Sequence, residues 1–286
     1  MSDFVSKFAL RLDLHQSPYH AEVMRKIGWK VDGSPGSQIY YRPLGPISVA
    51  KYQRAKIVDD DRLTYFRRTH KTLTTYIEPG LNTVYDKGVS VEPFAHSTTS
   101  LINLSQSEKK LLGSFTQKTR YNINHSIKAS KISLTSTPLP KLSSEQKNTF
   151  FALHSEWSKR KNVIGYSREL LDAIITSFAK DSTLHLAYDQ QNNPLGALLI
   201  LSCDSVSTYY AAFSTEEGYA HYAPTLLTWQ ALITAKDNGS DIFDFGGTYD
   251  PRYPKMYKKW QGFTKFKAGF NPTTIQYPPT KLHLFW

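Results

Sequence analysis

The segment HYAPTLLTWQALITAKDNGSDIFDFGG, residues 221–247, decides the fold class. Apolar side chains from Tyr222 to Ile233 recur at spacings of three and four residues, which predicts an amphipathic helix. Gly239 follows the last of them and is typical of a helix C-terminus. The next residues, DIFDF, form a short apolar run that predicts a buried strand. A helix joined by a short turn to a buried strand indicates an α/β domain.

The sequence on either side extends this pattern. Three strand-like stretches, STLHLAY, LGALLILSC and VSTYYAAF, precede the helix as a meander. Upstream, Ser105 with Glu108 and Ser143 with Gln146 have the spacing of capping boxes, each opening a helix. Downstream, QGFTKFKAGFNP, residues 261–272, is interpreted as a last strand. That interpretation places Phe266, Ala268 and Phe270 on one face and Lys265 with Lys267 on the other.

The first part of the chain is less periodic. It predicts helices at PYHAEVMRKIG and DDRLTYFRRTHKT and strands at SQIYYRP and TLTTYIE. We therefore predict a smaller N-terminal α/β domain over residues 1–97, completed by residues 273–286. A larger C-terminal domain over residues 98–272 follows it.

Charge and composition narrow the function classes. The net charge of +11 over 286 residues favours an anionic partner such as nucleic acid, lipid headgroups or a phosphorylated substrate. The longest apolar stretch, PLGALLILSC, is about half of the ~20 residues that a membrane helix needs. The N-terminus is broken by charges, so we expect no secretory signal and a mature start at Met1. Cys203 has no disulfide partner, which fits a reducing compartment. The nine histidines show no metal-ligand spacing, so no metal is expected.

Four ordered stretches resemble one family. They are QSPYHAEVMRKIGWKV (16–31), QKTRYNINHSIKASKI (117–132), the helix and strand of residues 221–247, and GFTKFKAGFNP (262–272). Together they resemble the Fem-type peptidoglycan bridge-forming aminoacyltransferases. The resemblance implies two acetyltransferase-like (GNAT-like) domains with mixed sheets, the N-terminal one reduced.

The resemblance also implies an activity. Such enzymes are cytoplasmic and move an amino acid from aminoacyl-tRNA to an amine on the stem peptide of a peptidoglycan precursor, lipid-linked or UDP-linked. Aminoacyl-tRNA is the co-substrate and no other cofactor is expected. Peripheral, salt-sensitive contact with the membrane is compatible with the basic charge.

Several site residues follow from the matched motifs. Phe266 and Lys267 fall on the Phe-Lys pair that lies at the acyl site of the family, and Lys267 is assigned the oxyanion or the tRNA end. Lys30 falls on a lysine that contacts the phosphates of the precursor, and Tyr222 on a tyrosine near the acceptor. Glu78 stands where many members have an aspartate before proline, a residue once favoured as a base.

One departure from the family bears on the acceptor. Tyr166 stands where some relatives that use a soluble nucleotide precursor have an arginine. This difference favours a lipid-linked acceptor over a UDP-linked one.

Cations and aromatic rings alternate without an acid between Arg252 and Lys267. Cations bind phosphates and aromatic faces stack bases, so the composition suits a single-stranded tRNA end. The alternative is a basic surface loop with aromatics packed inward. A second cationic face is predicted on the helix that begins near Gln117. The predicted tRNA contacts are Arg252, Lys255, Lys258, Lys259, Lys265, Arg120 and Lys128.

Two other functions stay open at this stage. An acyl-CoA-dependent N-acyltransferase would share the element order, but it binds pyrophosphate on a glycine-rich turn at a helix N-terminus. The corresponding turn here, STEEGYAHYAPT, carries Glu216 and Glu217 and a single glycine, Gly218. A non-catalytic RNA-binding or membrane-surface protein would use the same basic and aromatic residues.

Overall fold

The computed structural model describes residues 3–129, 132–178 and 182–284. It divides into two compact units. The first contains residues 1–99, 247–262 and 274–286, and the second contains residues 100–246 and 263–273. The first unit thus takes in residues 247–262, which the sequence-based boundaries had placed in the C-terminal domain.

Helices and strands alternate along the described chain. The helices are α1 Asp3–Leu10, α2 Pro18–Lys26, α3 Asp60–Thr69, α4 Glu108–Ser114, α5 Gln117–Ala129, α6 Ser144–Lys161, α7 Arg168–Ser177, α8 Glu216–Ala220, α9 Ala223–Asp237 and α10 Gln261–Ala268. The strands are β1 Lys30–Asp32, β2 Ile39–Leu44, β3 Ile47–Ala55, β4 Thr72–Pro79, β5 Val89–Val91, β6 Thr98–Asn103, β7 Ser133–Pro138, β8 Thr183–Tyr188, β9 Pro194–Cys203, β10 Val206–Ser214, β11 Ile242–Gly247, β12 Thr273–Gln276 and β13 Thr280–Leu284. No helix in the described ranges combines the length and apolar character needed to cross a bilayer.

The first unit has a six-stranded sheet in the order β1-β2-β3-β4-β13-β5. β3 and β4 are parallel, and β2 runs antiparallel to β3. One face packs Ile39, Tyr52 and Ile77 against Leu63 and Phe66 of α3. Tyr40, the residue after Ile39 on β2, packs against Ala21 and Met24 of α2. Since adjacent residues of a strand face opposite ways, helices cover both faces of this sheet.

The second unit has a seven-stranded sheet in the order β12-β6-β11-β10-β9-β8-β7. β7 to β10 form the antiparallel meander that the sequence predicts, and β10 and β11 are parallel. α9 packs on β8, β9 and β10. Its Leu227 and Leu232 join Leu198, Phe243 and Phe245 in the core. The predicted α/β class with mixed sheets is confirmed.

Helix capping follows the sequence at one position and departs from it at another. The Ser143–Gln146 capping box is present, with both reciprocal hydrogen bonds. The box predicted at Ser105 is wrong, because Ser107 caps α4 by accepting the Lys110 N–H. Ser105 instead donates its N–H to the Asn103 side chain, which ends the preceding strand in a turn.

The predicted strand over residues 261–272 is also wrong. Residues Gln261–Ala268 form α10, and its last turn carries Lys265 and Lys267. Phe263, Phe266 and Phe270 recur at spacings of three and four, so a helical period coexists with the alternation that suggested a strand.

The capping box of α6 allows a stability test. Ser143→Ala removes the acceptor of the Gln146 N–H at the helix N-terminus. We expect the free energy of unfolding to fall by about 1 kcal/mol, measured by urea denaturation. Ser144→Ala, one residue into the same helix, is the matched control and should leave it within about 0.5 kcal/mol. Equal effects of the two variants would contradict the assigned cap.

Candidate active site

The ladder between the parallel strands β10 and β11 ends early in the sheet of the second unit, and the region beyond its last pair is termed the gap. The register of β10 with β11 joins only Val206–Thr208 to Ile242–Asp244 among the described residues. Asp244 then accepts the N–H of Gly246 on its Oδ1 at 2.7 Å. This local bond turns the β11 backbone into the left-handed region at Gly246, with φ of +67°. The strands therefore part where a glycine makes the turn inexpensive.

The wall of the gap formed by β10 is also irregular. The pairing of β10 with β9 shifts between Tyr209 and Ala211, as at a β-bulge. A bulge re-aims side chains and is often found beside functional sites. The Tyr209 ring packs at 5.9 Å from the Phe245 ring, so it is held by the core.

Lys267 of α10 places its ammonium group among these residues. Its side chain is only 6% exposed. The Nζ atom lies 5.6 Å from the centroid of the Tyr209 ring and 4.8 Å from that of Phe263. Burial lowers the pKa of Lys267 to about 7, against the opposing effect of the Asp244 carboxylate. Lys267 can therefore hold or release a proton near neutral pH.

Phe266 and Lys265, the neighbours of Lys267 on α10, point in different directions from it. Phe266 packs on the core of the second unit, with its ring 5.4 Å from the Phe270 ring. Lys265 is exposed. Successive residues of a helix point about 100° apart. The Lys267 side chain therefore lies in the gap, that of Phe266 packs on the core and that of Lys265 is exposed to solvent.

The four predicted tRNA contacts of the first unit are all exposed, but the guanidinium of one of them, Arg252, bonds within the protein. Lys255, Lys258 and Lys259 are exposed. Arg252 donates to both carboxylate oxygens of Asp250, to the Ser97 carbonyl at 3.0 Å and to the Tyr277 carbonyl at 3.0 Å. The Arg252 guanidinium therefore links Asp250, Ser97 and Tyr277 within the first unit.

The aromatic residues of this segment divide between core and surface. Tyr257 is 1% exposed, and its hydroxyl accepts the Ser97 N–H at 3.3 Å. Phe263 is 37% exposed. The alternative of inward-packed aromatics thus holds for Tyr257, whereas Phe263 offers a ring face to a ligand.

The helix α5 holds the two remaining predicted tRNA contacts. Arg120 donates to the carbonyls of Gly113, at 3.2 Å, and of Phe115, which closes the end of α4. Lys128 is exposed near the end of α5. The structure assigns the Arg120 guanidinium a capping contact and leaves the Lys128 ammonium on the surface.

Of the predicted acceptor residues in the first unit, one is a surface residue and the other a structural one. Lys30 is exposed at the start of β1. Glu78 is 1% exposed and accepts the N–H groups of Phe94 and Ala95 at 2.7 and 2.6 Å. Its other oxygen accepts the Gln53 side chain at 2.7 Å. These three bonds occupy both oxygens of the carboxyl group.

Tyr222 and Tyr166 lie in the second unit. Tyr222 precedes α9 with a φ of +60°, and its ring contacts that of His125 edge-on at 6.0 Å. A bulky residue in the left-handed region is a strained conformation of the kind that clusters at functional sites. Tyr166 stacks between His154 and Tyr210, at 6.2 and 5.8 Å, and lines a cavity of about 500 Å³.

Sequence reasoning missed three residues of interest. Tyr209 and Asp244 flank the gap. Asp244 has a sequence signal in the two glycines that follow it at the end of β11, whereas Tyr209 has none. Lys51, in the first unit, is a single lysine inside a strand with buried neighbours. A lysine on the covered face of a sheet is a signal that the sequence could have supplied.

Comparison with known proteins gives a family match over part of the chain. Residues 185–280 match the FemAB family model, and this range contains the gap and Lys267. The Fem-type resemblance is confirmed. No curated protein gives a significant sequence match.

Solved structures agree with this Fem-type fold. The crystal structure of FemX is similar with a TM-score of 0.79 at 14% identity, covering 100% of this chain and 96% of that chain. The C-terminal domain of an Agrobacterium fabrum protein assigned as a lysylphosphatidylglycerol synthetase gives 0.62 at 12% identity, covering 96% and 91%. A tandem GNAT protein from the clavulanic acid biosynthesis pathway gives 0.52 at 10% identity, covering 87% and 78%. At these identities the likeness concerns the fold, which is that of two acetyltransferase-like domains.

The buried ammonium of Lys267 predicts an unusual stability profile. Lys267→Met keeps the apolar stem and removes the desolvated charge, so we expect a higher free energy of unfolding, by roughly 5 kcal/mol or less below pH 7. Above pH 7 the folded wild type has lost this proton, while the unfolded chain keeps it until about pH 10.5. The gain should therefore shrink by about 1.4 kcal/mol per pH unit above pH 7.

Denaturant titrations of both proteins between pH 6 and pH 9 test this. Lys265→Met, on the exposed side of the same helix, is the matched control and should show no such pH dependence. A Lys267→Met effect that is constant over this pH range would show that the ammonium is not desolvated.

Proposed function

We propose that this chain is an aminoacyltransferase of peptidoglycan bridge formation, which moves an amino acid from aminoacyl-tRNA to an amine on the stem peptide of a peptidoglycan precursor. One observation carries the proposal: the buried Lys267 ammonium in the parted β10–β11 strands of a Fem-type unit. A cation at this point suits a reaction whose transition state carries negative charge on oxygen.

The proposed reaction is attack of a neutral amine on the ester that joins the amino acid to the tRNA ribose. A C–N bond forms, the ester C–O bond breaks, the attacking nitrogen loses a proton and the ribose oxygen gains one. Lys267 donates a hydrogen bond to the carbonyl oxygen as it becomes an oxyanion. With a pKa of about 7, it can also pass a proton to the leaving oxygen.

For the tRNA, the proposal uses the cations that the structure leaves exposed. They are Lys255, Lys258, Lys259, Lys265 and Lys128. Arg252 and Arg120 are left out of this set because their guanidinium groups bond to the protein. Phe263 is the exposed ring next to Lys267 and is proposed to stack a terminal base.

For the acceptor, we propose a lipid-linked precursor reached from the cytoplasm by peripheral, salt-sensitive contact with the membrane. Tyr166, at the position where relatives of the nucleotide-using kind carry arginine, supports this choice. Tyr222 is proposed to contact the acceptor amine. The likeness to a lysylphosphatidylglycerol synthetase domain, whose name describes an aminoacylated lipid, makes phosphatidylglycerol the acceptor to compare.

A transfer assay tests the proposed function. Purified protein is incubated with labelled aminoacyl-tRNAs and lipid-linked precursor, and the stem peptide is analysed by mass spectrometry. We expect a mass gain of one amino-acid residue or more. UDP-linked precursor, phosphatidylglycerol, and acetyl-CoA as donor are the parallel arms. Transfer only from acetyl-CoA would establish the N-acyltransferase instead, and no mass gain in any arm would refute the proposal.

The role of Lys267 has a separate test. Lys267→Met should lower the transfer rate by about 100-fold or more, since it removes the donor to the developing oxyanion. Binding of tRNA, measured by fluorescence anisotropy, should stay within about twofold. Lys109→Met, at an exposed lysine outside the proposed contacts, is the control for the rate. A parallel loss of tRNA binding in Lys267→Met would favour a non-catalytic RNA-binding protein.

The exposed lysines of the first unit predict the salt dependence of tRNA binding. Replacing Lys255, Lys258 and Lys259 by Gln should weaken binding and reduce the slope of log K against log salt by about 2, because fewer counterions are released. Anisotropy titrations at several salt concentrations measure both.

The control removes the same charge elsewhere. Three exposed lysines of the second unit are replaced by Gln: Lys109, Lys110 and Lys141. If this control lowers the slope as much as the first set does, the effect comes from net charge and the assigned contacts are wrong.

A further inference from the structure

A second desolvated lysine, Lys51, lies in the first unit. It is half-buried on β3, and its Nζ atom is 5.1 Å from the centroid of the Trp29 ring and 5.9 Å from that of Tyr40. Its ammonium makes no hydrogen bond to any of the described residues. A cation against two ring faces, with three donors unused, is held in place without being neutralised.

The carboxylates nearest to Lys51 in this region, those of Glu78 and Asp13, form hydrogen bonds to other groups. Glu78, across β4, uses both oxygens for Gln53 and for two backbone N–H groups. Asp13 accepts the N–H of His15 at 2.9 Å and lies 2.8 Å from its Nδ1. Neither carboxylate can turn to Lys51 without losing these bonds, so the charge of Lys51 lacks a close counter-ion.

The remaining neighbours are polar and incompletely satisfied. The His20 ring packs at 5.4 Å from the Tyr40 ring and at 5.1 Å from that of His15. Its Nε2 is buried and has no hydrogen-bond partner in the described structure. Burial lowers the pKa of His20 well below its usual range, so at neutral pH it adds no charge beside Lys51.

The register of the sheet separates Lys51 from Lys30. Lys51 is paired with Tyr40, and Lys30 with Tyr41. Paired residues of antiparallel strands point to the same face, and consecutive residues to opposite faces. The two lysines therefore lie on opposite faces of one sheet, and a single small anion cannot bind both.

We propose that Lys51, framed by Trp29 and Tyr40, is the anion-binding residue for the acceptor in the first unit, in place of Lys30. This inference rests on the proposed function for the identity of the acceptor. The bound group is a carboxylate or a phosphate, both of which are compact anions that an ammonium recognises. In a precursor, the carboxylate would come from the stem peptide and the phosphate from the link to the lipid or nucleotide.

The binding experiment uses matched lysine variants. Affinity for UDP-N-acetylmuramyl-pentapeptide is measured by calorimetry at pH 7. Lys51→Met should weaken it by about 10- to 100-fold, whereas Lys51→Arg, which keeps the charge, and Lys30→Met should stay within about threefold. N-acetylmuramyl-pentapeptide without phosphates, and the same compound with a C-terminal amide, show which anion is bound.

The pH dependence gives a readout that a structural role would not move. Burial lowers the pKa of Lys51 to about 8, with Glu78 opposing the shift. Wild-type affinity should therefore fall as the pH rises through 8, while Lys51→Arg should stay flat to pH 9. The other titratable groups that face this position are Asp13, His15, His20, Tyr40 and Glu78, and Lys51→Arg retains all of them.

A direct observation of Lys51 separates this inference from the proposed function. In protein labelled with [ε-13C]lysine, the Lys51 resonance is the one missing from Lys51→Arg. Inorganic pyrophosphate or acetyl-D-alanyl-D-alanine should shift it and raise its pKa. A shift without any aminoacyl transfer would support the inference and refute the function. Transfer with unchanged affinity in Lys51→Met, or a Lys51 resonance that no anion moves, would overturn the inference.

Discussion

The parting of β10 from β11 is the constraint on which the second unit depends. Asp244 bonds to the N–H of Gly246 two residues ahead, and the backbone leaves the sheet at a left-handed glycine. A side chain at Gly246 would meet the Tyr209 carbonyl at 3.3 Å. A continuous parallel ladder would close the space that Lys267 occupies. In this unit, β10 and β11 are unpaired at one end of their ladder, and the desolvated Lys267 ammonium lies there.

Both units contain a lysine whose ammonium group is withdrawn from water, and they achieve this by different means. Lys267 is almost fully buried and has Asp244 nearby. Lys51 is half-buried against two aromatic rings, while its nearest acids bond elsewhere. Desolvation of a charge costs stability, and groups whose pKa is shifted in this way cluster at functional sites. This shared cost is the physical basis for treating both lysines as functional.

Much of the fold could be predicted from the sequence, because the meander β8–β10 and the helix α9 have clear periods of two and of three to four. The segment of α10 could not, since Phe266 and Phe270 satisfy both periods and only tertiary packing selects one. Lys267 was singled out through a family motif, whereas its burial and its pairing with Tyr209 depend on β10, far away in sequence. Arg252 looked like a free phosphate contact because a sequence does not show that Asp250 folds back on it.

The helical form of α10 has a consequence for how this segment can vary. Lys267 reaches the gap because it sits at one angle on the helix, with Lys265 and Phe266 at two others. One residue added or removed between Phe263 and Lys267 would rotate the lysine by about 100° relative to the Phe263 ring that covers it. Only one spacing between Phe263 and Lys267 therefore places the lysine side chain in the gap. The length of the segment is thus more constrained than the identity of an exposed residue without a proposed contact, such as Gln261.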